Sequence, residues 1–541
     1  MQWNLADIWE AIVDMFPDRD SVITPNRFSG RQVLTFAEVD ERATRLAHTL
    51  MDSGVQPGDH VGVYAYNSTE YVEAQWAAWK IRAVPVNVNF RYVEGELAYL
   101  FDNADLVALI HGREFIPRIA NVLPSCPKLK TCIAIEDGTD EPLDAIGALS
   151  YDEALKMGSA ERDFAPRSSE DRYIIYTGGT TGMPKGVMWT HEDFFKATIA
   201  PLIFGHGHTP SSPEEVIERS AKTAGTIIML PVAPLMHGAA QWVSMFIQLS
   251  GNALCLSASR RMNPDEIWDI VEAERVMSIT IVGDAQARPL LDALATRERD
   301  LTCLFVIGSG GALLSPAVKE AFAKALPHIM VLDSLGASET GYQGPLSGMD
   351  QHGRPQFTFG DHTIVLGDDG HPTTPGDGVV GHLARRGHIP IGYYKDEVKT
   401  AETFPTIHGS RWVVAGDMAI AEADGTITLL GRGSVSINSG GEKIFPEEVE
   451  SALKSHPGVF DVVVVGAPDE RWGERVTAVL VPQGDTPPTL ESLADHCRSV
   501  IAAYKVPRDV VFVDEMVRSP SGKADYRWAK ATAIAAIEAR A

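Results

Sequence analysis

An apolar run at 173–176 leads straight into Tyr-Thr-Gly-Gly-Thr-Thr-Gly-Met-Pro-Lys-Gly at 176–186. This junction constrains the chain more than any other segment. Glycine lets the backbone come close to a ligand, and successive N–H groups in such a loop form an anion-binding concavity. Threonine hydroxyls add donors, and Lys185 adds a positive charge. Thr177, Gly178, Gly179, Thr180, Thr181, Gly182 and Lys185 are therefore expected to hold phosphates. The loop departs from the P-loop pattern, which ends in Gly-Lys-Ser/Thr. Here Pro184 precedes Lys185 and Gly186 follows it.

The 541 residues suffice for two or more domains with a large core. A net charge of −25 argues against nucleic acid or an anionic membrane as partner, since both need a basic face. A phosphate site must therefore be locally positive against an adverse overall field. The five cysteines, Cys126, Cys132, Cys255, Cys303 and Cys497, show no metal spacing. With no secretory signal at the start, they suggest reduced thiols and a cytoplasmic protein. No stretch reaches the ~20 apolar residues of a membrane span.

The first half reads as α/β. Thr-Phe-Ala-Glu at 35–38 is a capping-box signature. Phe36, Val39, Ala43, Leu46 and Leu50 continue at helical spacing, and Gly54 ends the helix. A strand at 61–65, a helix over 68–80 and a strand at 84–88 follow. Strands alternating with helices predict a largely parallel sheet. Two more buried strands are expected at 227–230 and 303–307. The polar segment 205–225 is expected to be an exposed excursion. Its His206 and His208 lack further ligands at metal spacing. Beyond about residue 350, Asp-Asp-Gly at 368–370, Pro-Gly-Asp-Gly at 375–378 and Asp-Gly at 424–425 predict hairpins. Gly431 and Arg432 read as a linker. The remainder, 432–541, reads as a small α+β domain with helices at 446–454 and 490–502 and strands at 462–465, 476–481 and 510–513.

Other segments carry chemistry only in combination. These are Gly-Ser-Gly-Gly-Ala-Leu-Leu at 308–314, Asp-Ser-Leu-Gly-Ala-Ser-Glu-Thr at 333–340, Ala-Gly-Asp at 415–417, Gly-Arg at 431–432, Gly-Gly-Glu-Lys-Ile-Phe-Pro-Glu-Glu-Val-Glu at 440–450 and Arg-Ser-Pro-Ser-Gly-Lys at 518–523. Together with 176–186, and in this order, they resemble the adenylate-forming superfamily of acyl-CoA synthetases, luciferases and peptide-synthetase adenylation domains. The resemblance spans nearly the whole chain. Gly178 stands where serine is common, and Leu335 where tyrosine is frequent.

The resemblance implies a large adenylation domain, 1–431, binding ATP and an acyl substrate, and a small mobile domain, 432–541. It implies that Gly310, Gly311, Ala312, Asp333, Ser334 and Gly336 face adenine and the acyl group. Ser338 would lie near the α-phosphate and Glu339 would help hold Mg²⁺. Asp417 would take the ribose hydroxyls and Arg432 would contact the nucleotide, with Ser434 at the hinge. Gly441 and Lys443 belong to the loop that lines the pantetheine tunnel in CoA-using members. Lys523 matches the adenylation lysine, and His237, in Pro-Leu-Met-His-Gly at 234–238, the residue abutting the substrate carboxylate. Thr177, Glu339 and Lys523 form the implied catalytic set. The implied reaction has two steps: a carboxylate and MgATP give an acyl-adenylate and pyrophosphate, and the thiol of coenzyme A then displaces AMP.

Residues 86–103, 176–191 and 431–443 further resemble bacterial ligases acting on sterol side-chain carboxylates. Small residues at Gly283, Ala285, Ala287, Ala239 and Ala240 fit a wide acyl channel, and Asp284 and Arg288 are spaced to pair. Medium- or long-chain fatty acids, and delivery to a carrier protein instead of CoA, stay open as alternatives. A non-catalytic acyl- or nucleotide-binding protein is disfavoured by Lys185, Glu339, Asp417, Arg432 and Lys523 all being present. The sequence leaves assembly open, a homodimer among the options.

Overall fold

Thr35 and Glu38 start the first long helix as their spacing predicts. The Glu38 amide donates to Thr35, and Glu38 accepts from the Thr35 amide at 2.8 Å. The helix Phe36–Asp52 buries Phe36, Val39, Ala43, Leu46 and Leu50, and Gly54 follows in the left-handed region at φ 96°. The computed structural model describes residues 1–540 other than 178–182, 206–207, 224, 226, 313, 351–353, 361, 440–441, 470, 485 and 519–522.

The predicted strand–helix–strand unit is present as His60–Tyr64, Thr69–Lys80 and Val84–Asn87. These strands join Leu106–Gly112 and Thr131–Ile135 in a parallel sheet. A second, larger sheet begins with parallel strands Asp20–Thr24, Ala253–Cys255, Ile228–Pro231, Ser278–Ile281, Val306–Gly310 and Met330–Ala337. From Gly341–Met349 onward its pairing turns antiparallel, through Pro355–Phe357, Ile427–Arg432, Asp417–Ala421 and Val380–Arg386. The hairpins expected beyond residue 350 are present as Thr363–Leu366 with Val380–Arg386 and Asp417–Ala421 with Ile427–Arg432. The strand expected at 303–307 starts only at Val306, because 301–304 form a turn closed by the Leu304 amide on the Leu301 carbonyl.

The segment 205–225 corrects the expectation of an exposed excursion. Pro213–Thr223 is a helix that buries Val216 and Ser220 and packs against the N-terminal helix Leu5–Met15. Its charged residues occupy one face, so average polarity hid an amphipathic helix. His208 pairs with Glu215 at 2.8 Å, while His206 lies outside the described residues.

The C-terminal part has its own sheet. Gly473–Pro482 pairs antiparallel with Val459–Asp469 and parallel with Asp509–Phe512. Helices Pro446–Lys454 and Leu490–Val500 close its core over Val449, Leu453, Val464 and Leu480. A final helix, Tyr526–Glu538, was not anticipated; it packs Ala529 and Ala533 on Val463 and Val479 on the other face of the same sheet. The molecule is thus a large α/β domain with a smaller C-terminal α+β domain. All five cysteines are buried free thiols.

Candidate active site

The strand Arg172–Thr177 ends at the glycine-threonine loop, and Lys185–Thr190 returns antiparallel beside it. Thr177 is thereby in register with Lys185. Asn87 fixes the approach: its side chain accepts from the Tyr176 amide at 2.7 Å and donates to the carbonyls of Tyr176 and Met236. Tyr176 is anchored again through its hydroxyl on Asn103 at 2.8 Å. Gly178, Gly179, Thr180, Thr181 and Gly182 lie outside the described residues. Lys185 is ion-paired with Asp396, a residue the sequence reading missed.

A cavity of about 390 Å³ opens beside this loop. It brings together Thr177, His237, Gly310, Gly311, Ser334, Gly336, Ser338 and Lys523. His237 is the N-cap of the helix Gly238–Leu249, so the helix axis directs its positive end to this wall. Gly310 ends a parallel strand, and Gly311 turns away at φ 84°. A Cβ on Gly311 would stand 4.0 Å from Lys523 Cε, so the glycine and the lysine stem face each other. Ala312 sits behind them, accepting from Ser309 Oγ at 2.7 Å.

Lys523 arrives from the small domain. An antiparallel bridge between Arg518 and Ala524 pinches its loop, and Arg518 is tied to Asp461. Burial holds the Lys523 ammonium below its ordinary pKa; nearby Arg432 pushes the same way, while Glu339 and Asp417 oppose it. These charges therefore converge around one amine. Asp417 and Arg432 face each other across a strand pair and meet at 3.2 Å. Glu339 accepts from the Tyr393 hydroxyl at 2.9 Å, a partner supplied by the strand that pairs with Lys185–Thr190.

Some expected residues are placed elsewhere. Asp333 does not line the cavity. It is buried behind it, pairing with Lys319 at 2.5 Å and accepting from the Leu314 amide at 3.0 Å. Gly283 also stands behind the wall, at φ 57°, with its amide on Ser309 Oγ at 3.0 Å. Val282 takes the lining position instead, and Ala287 belongs to the core beneath. The reason is the helix Gly283–Leu294, which turns Gly283 and Ala287 toward its packing neighbours and leaves Ala285 exposed, away from the cavity. Ala239 lines the cavity but Ala240 is buried. Asp284 and Arg288 do pair, at 3.4 Å. Gly441 and the Lys443 side chain lie outside what is described; the Lys443 backbone pairs with Asn438 in a short hairpin.

Leu335, Tyr342, Trp242 and Tyr526 also line the cavity. Tyr342 follows the turn after the 333–340 segment and pairs with Gly336, so an aromatic is present although Leu335 replaces the expected one. Nothing in the local spacing marks Tyr393 or Asp396, because long-range pairing brings them in; Tyr342 comes by the hairpin with Gly336. No group of three or more histidines, cysteines and carboxylates able to hold a metal occurs among the described residues. None of their helices is long and apolar enough to cross a membrane.

Comparison with known proteins identifies the family. Residues 9–394 match the model of the AMP-binding enzyme family, and 448–523 match the AMP-binding enzyme C-terminal domain. A Mycolicibacterium smegmatis medium/long-chain-fatty-acid--CoA/3-oxocholest-4-en-26-oate--CoA ligase is 48% identical over 98% of this chain and 96% of its own. A Rhodococcus rhodochrous 3-oxocholest-4-en-26-oate--CoA ligase is 49% identical over 98% and 96%. The fold matches the crystal structure of the anthranilate CoA ligase AuaEII with anthranoyl-AMP at a TM-score of 0.83, with 22% identity, covering 99% of this chain and 98% of that one. The chain belongs to the AMP-binding enzyme family, within the adenylate-forming superfamily that its motifs resemble.

Proposed function

We propose that this protein is an ATP-dependent acyl-CoA ligase that works through an acyl-adenylate, with steroid side-chain carboxylic acids as its substrates. One observation carries the chemistry: Lys523 reaches from the small domain into the cavity formed by Thr177, His237, Gly310, Gly311 and Ser338. In the first step a carboxylate oxygen attacks the α-phosphorus of ATP and pyrophosphate leaves. The substrate carboxylate is already ionised near neutrality, so no base is needed and His237 serves to contact it. Thr177, the 178–182 loop and Lys185 would hold the β- and γ-phosphates, for which Lys185 would exchange Asp396. Asp417 would accept from the ribose hydroxyls. Lys523 would bridge the carboxylate and the α-phosphate as charge redistributes.

Glu339 suits a divalent cation that arrives with ATP, since Mg²⁺ is held by one or two carboxylates plus substrate phosphates. When bound, that ion neutralises phosphate charge. In the second step the CoA sulfur attacks the acyl carbon and AMP leaves with the bonding pair. For this the small domain, 432–541, would turn about 432–434, withdrawing Lys523 and presenting 440–443. A cytoplasmic location fits the five free thiols.

The substrate choice rests on the relatives, both of which are named for 3-oxocholest-4-en-26-oate. One of them is named for medium- and long-chain fatty acids as well, and these are the second reading. ATP- and CoA-dependent thioester formation over straight-chain, aryl and steroid acids separates the two. Highest kcat/KM on a steroid acid is expected; a preference for straight chains would remove the steroid assignment and leave the two-step chemistry standing.

A further inference from the structure

Strand alternation places an arginine where the fold asks for an apolar side chain. In Val380–Arg386, Leu383 is buried with Val365, Ala419 and Ile427, and Leu335 of the active-site cavity packs on them. Arg385 lies two residues further on, so it points to the same face. Burying a guanidinium costs free energy unless its charge and its N–H groups are matched. No carboxylate among the described residues matches it, and burial lowers its pKa from 12.5 to about 10. Its hydrogen bonds run instead to two backbone carbonyls: Nη1 donates to Thr340 at 2.7 Å and to Tyr342 at 2.9 Å. Packing of the strand needs no such bonds, so their consequence lies in the turn that they grip.

That turn carries site residues. Ser338 and Tyr342 line the cavity, and Glu339 lies between them in the chain. Gly341 stands between the two gripped carbonyls at φ 68°, and a Cβ there would be 2.8 Å from Thr198 Oγ1 and 3.0 Å from the Ala197 carbonyl oxygen. The turn is thus pressed onto 197–198 as well as tied to Arg385. Trp189 Nε1 donates to the Ser338 carbonyl at 3.0 Å, and the Tyr393 hydroxyl donates to Glu339. Trp189 and Tyr393 come from the strands beside the glycine-threonine loop, whereas Arg385 comes from the antiparallel part of the large sheet. Both of its bonds have a charged donor, and each is roughly twice as strong as a neutral one. A misplacement of about 1 Å at such a site can cost roughly 10²-fold in rate.

We infer that Arg385 is a positioning residue of the nucleotide site: it fixes the 340–342 turn, and through it holds Glu339 and the Tyr342 ring in place for MgATP. The inference rests on the ligase reading above. Arg385 does not line the cavity and acts through the backbone. Leu383 shares its strand and face and belongs to the core, so its replacement separates packing from positioning.

The test compares unmodified enzyme with Arg385→Met, Arg385→Lys and Leu383→Ala. Calorimetric titration reads the Kd of MgATP. Acid-dependent pyrophosphate release reads KM for ATP and the Mg²⁺ concentration that gives half the maximal rate, and the melting temperature reads the fold. Arg385→Met is expected to raise Kd, KM and the Mg²⁺ demand by about tenfold, the scale of one lost charge-assisted hydrogen bond. Arg385→Lys keeps a charge and a donor but loses the planar fork, so its values should fall between. Leu383→Ala should lower the melting temperature and leave the three nucleotide readings unchanged. Unchanged MgATP binding in Arg385→Met, or the same weakening in Leu383→Ala, would overturn the inference. If Arg385→Met does not fold, Arg385→Lys decides on the same readings. Absence of pyrophosphate release in the unmodified enzyme would instead strike the ligase reading, while the MgATP titration would still test Arg385.

Discussion

In the proposed reaction the first chemical step depends on Lys523, which sits among opposing charges. Burial and Arg432 work against its charge, and Glu339 and Asp417 restore part of it. Phosphates entering the cavity would favour the charged amine further. Lys523→Ala is expected to lower adenylate formation by at least about 10²-fold, the scale of a lost transition-state donor. Thioester formation from supplied acyl-AMP should survive. Equal loss of both, read by pyrophosphate release and by thioester assay, would end the division of labour. Glu447 carries a second consequence. Its carboxyl is pressed against Gly431, with one oxygen buried and the other accepting from the Arg432 amide at 3.2 Å. Burial, then Glu450, pushes it from 4.5 up to about 8. The docked arrangement thus binds a proton that an exposed Glu447 would release. Its favourable contribution is full below 4.5 and is lost as pH rises through about 8, at about 1.4 kcal/mol per pH unit between. Glu447→Gln should flatten the decline of adenylation from about pH 6 to 9; an unaltered pH–rate profile would refute this.

The strand Ile427–Arg432 is the element that joins the two domains, and its last turn is set by Gly431. At φ 118°, with a Cβ position 2.2 Å from a Glu447 oxygen, only glycine fits there while the small domain is docked. Gly431→Ala should cost about 1–3 kcal/mol in that arrangement through backbone strain and added crowding. Slower adenylation with a nearly unchanged melting temperature is the expected pattern, checked by calorimetry beside the rate; a wild-type adenylation rate would contradict it. Elements also decide what was legible. The Phe36–Asp52 helix and the 446–454 helix could be read because their periodicity and caps are local. Pro213–Thr223 could not, because its burial is decided by the distant Leu5–Met15 helix. The same limit applies in the site. Thr177, Gly311, Ser338 and Lys523 sit in recognisable motifs and do meet in one cavity. Tyr393 and Asp396 come by strand pairing and helix capping, and Asp333 and Gly283 were misplaced because motif membership does not say which way a side chain turns.

For the whole molecule, the arrangement places the small domain with Lys523 inward, a state suited to the first step. Other contacts hold it there, including Arg288 over the Phe460 ring at 5.5 Å across the domains. Arg288→Ala should loosen this state and slow adenylation severalfold, the scale of one cation–π contact. The second step should be spared; slowing of that step alone would oppose this view. The central claim is an adenylate made before any thiol is used. The direct measurement is exchange of labelled pyrophosphate into ATP, with a carboxylic acid present and CoA absent. Exchange that needs the acid and proceeds without CoA is the predicted result. Exchange that needs CoA, or cleavage of ATP to ADP in place of AMP, would contradict it.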